Sequence, residues 1–188
     1  PLIRAMTEGG LFFFNEVNRA PSESLNGVLA AMDERSIDVP QLHRFQATDD
    51  FYTIFTLNPQ EYVGTNPLPK AFFDRCVLIK LDHKSGSEAE EIVKLRTGCD
   101  DEELISKIVR FTDMTRKSPL FERGASIRAA IHLTLFLKDS RLTPEIILPT
   151  IFSVYAGKVK TNPDTTKPLL DCLRDLAIEV FFPESKKD

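Results

Sequence analysis

Two apolar runs in this chain each end on a polar side chain. Leu11-Phe-Phe-Phe14 leads straight into Asn15-Glu16, and Phe51 to Leu57 leads into Asn58. The first run, preceded by Gly9-Gly10 and followed by polar residues, reads as a short strand buried on both faces of a parallel sheet. The carboxyl end of such a strand is where open α/β sheets place their ligands. A hydrophobic strand that delivers an acid pair to a metal-bound nucleotide is the Walker B arrangement, and Leu11 to Asn18 has its shape. The alternative reading of the strand alone is a core element ending in a hydrogen-bonded asparagine.

Composition limits the remaining chemistry. With 188 residues, 42% of them hydrophobic and 28% charged, the chain has material for one domain plus a small one and is not of the disordered class. A net charge of -4 gives no broad basic footprint, so nucleic acid is not an expected partner. Cys76, Cys99 and Cys172 are far apart and form no C-x-x-C pair, which argues against a disulfide framework and a zinc site and favours a reducing, cytoplasmic setting. His43, His83 and His132 show no metal-binding spacing. No apolar run reaches the roughly 20 residues of a membrane span. The chain opens at Pro1 without an initiator Met, so residues are expected to be missing upstream.

The elements that must position these groups follow in order. Ala20-Pro21-Ser22 opens an amphipathic helix with Leu25, Val28, Leu29 and Met32 on one face, ending near Arg35. Ile37 to Val39 and Leu42 to Ala47 predict a small hairpin around Pro40 and Gln41. Phe51 to Leu57 is the second strand, rich in aromatic and β-branched residues. Gly64, Pro67 and Pro69 mark a loop, Lys70 to Arg75 a helical turn, and Val77 to Leu81 a third strand. Helices dominate after Ser85, with capping-box-like openings at Ser87/Glu90 and Asp100/Glu103 and further starts at Ser126, Thr143-Pro144 and Pro168. Glu184 to Asp188 reads as a charged, frayed tail. The expected fold is α/β over residues 1–83 and all-helical over 84–188.

Taken together, Leu11-Phe-Phe-Phe-Asn-Glu-Val-Asn-Arg-Ala-Pro21, Leu29-Ala-Ala-Met-Asp-Glu-Arg35, Asn58-Pro-Gln-Glu-Tyr-Val-Gly-Thr65, Leu68-Pro-Lys-Ala-Phe-Phe-Asp-Arg75 and Gly124-Ala-Ser-Ile-Arg-Ala129 resemble, in order and spacing, the MoxR family of AAA+ ATPases. The resemblance implies a partial P-loop NTPase core, a parallel but incomplete sheet, followed by a helical lid. It implies that Glu16 is the Walker B glutamate acting on the attacking water, that Asn58 is sensor 1, that Arg75 is the arginine finger and that Arg128 is sensor 2. It further implies ATP and Mg2+ as cofactors, assembly into a homo-oligomeric, hexameric ring, and a client protein, often one with a von Willebrand A domain. The hairpin corresponds to the insertion this branch carries before sensor 1. Asn18 and Arg19 match the family's Asn-Arg after the acid pair without an assigned role.

Two departures touch catalysis. The phosphate-cradling G-x-x-x-x-G-K-S/T sequence does not occur in these residues, and Gly157-Lys158-Val159 does not replace it. The strand that carries that loop is absent with it, so this chain alone is expected not to hydrolyse ATP. The Walker B aspartate is Asn15, whose amide accepts a hydrogen bond but brings no negative charge to a cation, so Mg2+ held through water at Asn15 should be weakened. The expected function is a MoxR-like ATPase that couples ATP hydrolysis to remodelling or activation of partner proteins. The alternatives are a catalytically degenerate scaffold or regulatory subunit and a magnesium-chelatase-type ATPase subunit.

Overall fold

A computed structural model describes residues 1–58 and 66–183. The segment Pro59 to Thr65, which holds most of the third quoted motif and the Gly64 loop marker, and the tail Glu184 to Asp188 lie outside the described residues. The chain divides into two compact units, Pro1–Lys80 and Leu81–Asp188.

In the first unit, α1 (Leu2–Glu8) leads into β1 (Gly10–Phe14), and β1 pairs in parallel with β4 (Phe51–Phe55), Gly10 opposite Phe51 through Phe14 opposite Phe55. Between them lie α2 (Ser22–Asp33) and an antiparallel hairpin of β2 (Ser36–Asp38) and β3 (Arg44–Gln46), at the place the alternation predicts. A short α3 (Lys70–Phe73) closes the unit. Parallel partners point their side chains to the same face, because side-chain direction alternates along both strands. One face of the sheet, Phe12, Phe14, Phe51 and Phe55, is covered by two small apolar clusters: Met6 and Ala31 with Phe51, and Val17, Leu25, Leu68 and Phe72 around Phe14 and Phe55. Helix α1, which the sequence reading did not predict, supplies Met6.

Two strand expectations need correction. The first strand is not buried on both faces: Leu11 and Phe13, with their partners Tyr52 and Ile54, are at least half exposed. All the covering side chains come from elements on the Phe12/Phe14 side. Val77 to Leu81 is not a strand either; it belongs to no helix or sheet, and Val77 is 92% exposed. A run with strand composition becomes a strand only when a neighbour takes its backbone N–H and C=O groups. Among the described residues no strand does so here.

The second unit packs α4 (Gly86–Thr97), α5 (Glu102–Lys117), α6 (Ile127–Leu137), α7 (Pro144–Tyr155) and α8 (Leu169–Phe181) around one continuous core. Helix α5 is its axis: Leu104, Ile105, Ile108, Val109, Phe111, Thr112 and Thr115 recur on a buried stripe at helical spacing. The unit is not all-helical, because β5 (Phe121–Arg123) pairs antiparallel with β6 (Lys160–Thr161). These strands are too short for a period-2 pattern to reveal. The helix starts also shift slightly. Asp101, rather than Asp100, caps α5 by accepting the Leu104 N–H at 2.9 Å, and Ser85, rather than Ser87, precedes α4.

Candidate functional site

The parallel pairing of β1 and β4 brings the two strand ends side by side, and the connection continues past the last ladder residues. The Thr56 N–H donates to Phe14 O at 3.1 Å, and the Val17 N–H donates to Thr56 O at 2.8 Å. Glu16, between them, takes up the left-handed conformation with φ 54 and ψ 48. A non-glycine residue there costs on the order of 1 kcal/mol, and such backbone is concentrated at functional sites. The turn is held by the Glu16 N–H, which donates to Thr56 Oγ1 at 2.8 Å.

This conformation aims the Glu16 carboxylate at two partners. Asn58 Nδ2 donates to Oε1 at 2.9 Å, and Arg19 Nε lies 3.0 Å from Oε2. The structure therefore brings the predicted pair Glu16 and Asn58 into direct contact, with both side chains half-buried. Asn15 joins the same group through Thr56, whose hydroxyl donates to Asn15 Oδ1 at 2.6 Å while accepting from Glu16. One hydroxyl thus fixes both members of the Asn15-Glu16 pair. Sequence reasoning missed Thr56, which reads as one β-branched strand residue among several, and named Arg19 without a role, although its position three residues after Glu16 fits a one-turn ion pair.

Arg75 is not part of this group. Its guanidinium is bonded to Asp33 at the end of α2 and to the Ala71 carbonyl. The hydrogen bond to Asp33 raises its pKa above the usual arginine value, so it stays a cation. Arg128 lies in the second unit, exposed on the first turn of α6. The turn before it is locked from α5: Arg116 Nε donates to Ala125 O at 2.8 Å, and the Ala125 N–H donates to Thr115 Oγ1 at 3.0 Å. Gly124 is required there, because a Cβ at this position would stand 2.5 Å from Arg116 Cα. The Gly124-Ala-Ser-Ile-Arg sequence is in this sense a fitted support for Arg128.

The donor set decides which bound groups these residues fit. A carboxylate beside a carboxamide at a strand end can accept a proton from water and donate to a phosphate oxygen at once. A divalent cation is held best where at least one ligand oxygen is charged. The Asn15 oxygen is neutral and already accepts from Thr56, and among the described residues no group of three or more His, Cys, Asp or Glu could hold a metal ion. This donor set suits the activation of a water molecule better than the holding of a metal ion. No described helix is long and apolar enough to cross a membrane.

Comparison with known proteins finds similarity over part of the chain. Residues 6–78 match the model of the "ATPase family associated with various cellular activities (AAA)". An uncharacterized protein of Staphylococcus epidermidis is 34% identical over 142 residues, covering 71% of this chain and 53% of its own length. One from Staphylococcus haemolyticus is 32% identical over 142 residues, with the same coverage. One from Staphylococcus aureus is 33% identical over 141 residues, covering 71% of this chain and 52% of its own. The chain thus spans about half the length of the curated relatives it matches. A solved Cytophaga hutchinsonii structure, described as that of a proposed ATPase, covers 88% of this chain and 64% of its own at 21% identity and a TM-score of 0.36, a likeness too slight to bear on the fold. The Glu16–Asn58 contact lies within the segment, residues 6–78, that is similar to this ATPase family.

Proposed function

We propose that this chain supplies the hydrolytic side of a MoxR-like AAA+ ATPase, which couples ATP hydrolysis to the remodelling or activation of partner proteins. The observation that carries the reading is the 2.9 Å contact between Glu16 and Asn58 at the ends of adjacent parallel strands, within the segment that matches the AAA family. ATP would supply the phosphoanhydride whose cleavage drives the cycle. Phosphoryl transfer depends mostly on positioning and charge stabilisation. Glu16 orients the attacking water and takes up its proton, and Asn58 holds the carboxylate while presenting an amide to the phosphate side. Arg19 competes for the same carboxylate, so its ion pair with Glu16 must loosen as water is engaged. Arg75 is a finger in its resting place: in a homo-oligomeric ring, hexameric in the MoxR reading, it would exchange Asp33 for the neighbouring subunit's phosphate. Guanidinium suits that exchange, being permanently charged and forked. Arg128, on its locked turn, would answer the same phosphate from the lid, and a protein with a von Willebrand A domain is the client that fits this branch.

A second reading, a degenerate scaffold or regulatory subunit, draws on one specific observation. Asn15 stands where a metal-binding acid is needed, and its oxygen is committed to Thr56. Nucleotide turnover by the intact protein and its Glu16→Gln and Asn15→Asp variants separates the two. Under the first reading Glu16→Gln lowers kcat by about a hundredfold or more, the range of a lost general base, while nucleotide still binds. A parent protein with negligible turnover that gains it on Asn15→Asp supports the second. Turnover unaffected by Glu16→Gln removes Glu16 from the chemistry and the first reading with it.

A further inference from the structure

Asn18 is polar, 2% exposed, and two residues beyond Glu16. Its carboxamide lies against the backbone of a single residue, Asn58. Asn18 Nδ2 donates to Asn58 O at 2.8 Å, and the Asn58 N–H donates to Asn18 Oδ1 at 3.3 Å. The main chain of Asn18 is engaged as well, its carbonyl accepting the Asn66 N–H at 2.6 Å.

This is a side chain replacing a rung of a ladder. Beyond the Val17–Thr56 hydrogen bond the two chains part, because Glu16 turns left-handed and Val17–Arg19 winds into a 3-10 turn. The Asn18 carboxamide offers one donor and one acceptor in the plane in which a peptide group would offer them, and so carries the pairing one step further. That step falls on the residue whose side chain holds Glu16. Asn58 is consequently fixed at both main-chain polar groups by Asn18 and at its side chain by Glu16.

We propose that Asn18 is a positioning residue, setting the separation and orientation of Asn58 relative to Glu16 without itself touching the reacting atoms. The inference rests on the ATPase reading for its consequence, but the clamp is a property of the folded chain. Chemistry restricts the position to a carboxamide. Aspartate would turn an acceptor toward the Asn58 carbonyl and place a charge in a buried setting, alanine would leave both Asn58 groups unpaired, and serine has only one polar atom.

The test uses the intact protein with Asn18→Ala, and Asn18→Ser as the milder second variant. Backbone amide exchange at Asn58 is measured alongside kcat and KM for ATP. Loss of the clamp should speed Asn58 exchange by about tenfold, the equivalent of one to two neutral hydrogen bonds. It should lower kcat by about ten- to a hundredfold, as expected for a misplaced catalytic pair, with KM within about twofold of the parent, since uniform binding is untouched. A purely structural asparagine would instead lower the melting temperature and leave kcat per folded molecule unchanged. That result overturns the proposal, as does unchanged Asn58 exchange, or loss of fold in both variants. Faster Asn58 exchange in a protein whose parent shows no turnover retains the clamp and removes the ATPase reading. Turnover that Glu16→Gln abolishes but neither Asn18 variant alters retains the ATPase reading and removes the positioning role.

Discussion

The two units of this chain are stabilised in different ways. The second encloses one continuous core in which α5 is buried along its whole inner stripe and touched by α4, α6, α7 and α8. The first distributes its buried residues over two small clusters on one side of a two-stranded sheet and leaves Leu11, Phe13, Tyr52 and Ile54 open on the other. Yet the first carries the candidate chemistry, whose precision comes from polar connections. Thr56, Asn18 and Asn58 tie the strand ends together where apolar burial is thin. Hydrogen bonds can do this because their geometry is directional, whereas apolar burial supplies free energy without fixing orientation.

The largest expected effect that breaks the comparison is in the better-packed unit. Phe111 is fully buried on α5, edge-on to Tyr155 with ring centroids 5.0 Å apart. Phe111→Ala should cost about 3–5 kcal/mol. Phe51, buried beside Met6 and Ala31 in a cluster with few members, should cost about 3 kcal/mol, at the low end of that range, because a small cluster collapses more readily around a void. Denaturant-dependent amide exchange reads each change separately, at α5 for Phe111→Ala and at β1 and β4 for Phe51→Ala. Equal costs would mean that the first unit is as tightly packed as the second, contrary to the distribution of its core.

Next in size is Gly124→Ala. The added Cβ would meet Arg116 at its Cα, Cγ and N, the nearest at 2.5 Å, and backbone cannot move aside as a flexible side-chain end would. A loss of about 1–3 kcal/mol is expected, the usual cost of overpacking, measured by chemical denaturation. Arg116 is anchored from several sides, to Ala125 O and to Lys84 O, with Nη2 3.3 Å from Asp113 Oδ1 in a charge contact outside hydrogen-bond geometry. A neutral result would show that the turn before Arg128 can shift and does not fix that side chain.

What the sequence made legible follows from the range of the interactions involved. The strand ends at Glu16 and Asn58 could be read because a short apolar run followed by a polar residue is a local signal, and parallel pairing then brought them together. Helices α4 to α8 announced themselves by periodicity and by proline or capping residues at their starts. Thr56 could not be read, since its role depends on a residue 40 positions away and its type is ordinary for a strand. That Val77 to Leu81 forms no strand was illegible for a related reason: composition reports what a segment would do with a neighbouring strand, not whether one is there. Asn18 was visible as a motif position, but its function required seeing both polar groups of Asn58 opposite it.

A smaller effect concerns Tyr155, whose hydroxyl is buried and 2.7 Å from Thr112 Oγ1. Thr112 donates its own proton to Ile108 O at 2.8 Å, so Tyr155 is the donor in the pair. Burial raises the phenol pKa well above its usual value, and the hydroxyl stays protonated throughout the range in which the protein is handled. Tyr155→Phe should therefore cost about 1 kcal/mol, one hydrogen bond without a stranded donor. The cost should be constant near neutrality and shrink as pH approaches and passes the ordinary phenol value of 10.0, because the phenol then ionises only in the unfolded chain. Denaturation at a series of pH values would check this.

The smallest effect is at the surface, where Lys94 Nζ on α4 meets Glu102 Oε1 on the first turn of α5 at 2.7 Å. The hydrogen bond between them, then their charges, holds the Glu102 carboxyl below its ordinary 4.5 and the Lys94 ammonium above its ordinary 10.5. The signs fix the window. A depressed carboxyl contributes fully above 4.5 and loses its contribution as pH falls through the folded value; a raised ammonium contributes fully below 10.5 and loses its contribution as pH rises through the folded value. Between these limits the pair is intact and its contribution flat. Because both groups are solvated, salt screens the attraction. Glu102→Gln should thus change the denaturation midpoint only slightly at neutral pH and low salt, and not at all at high salt or below the carboxyl's folded pKa. A large, salt-independent loss would mean that α4 and α5 are held by this pair rather than by the buried stripe beneath it, and the contrast between a core-stabilised second unit and a polar-tied first unit would no longer hold.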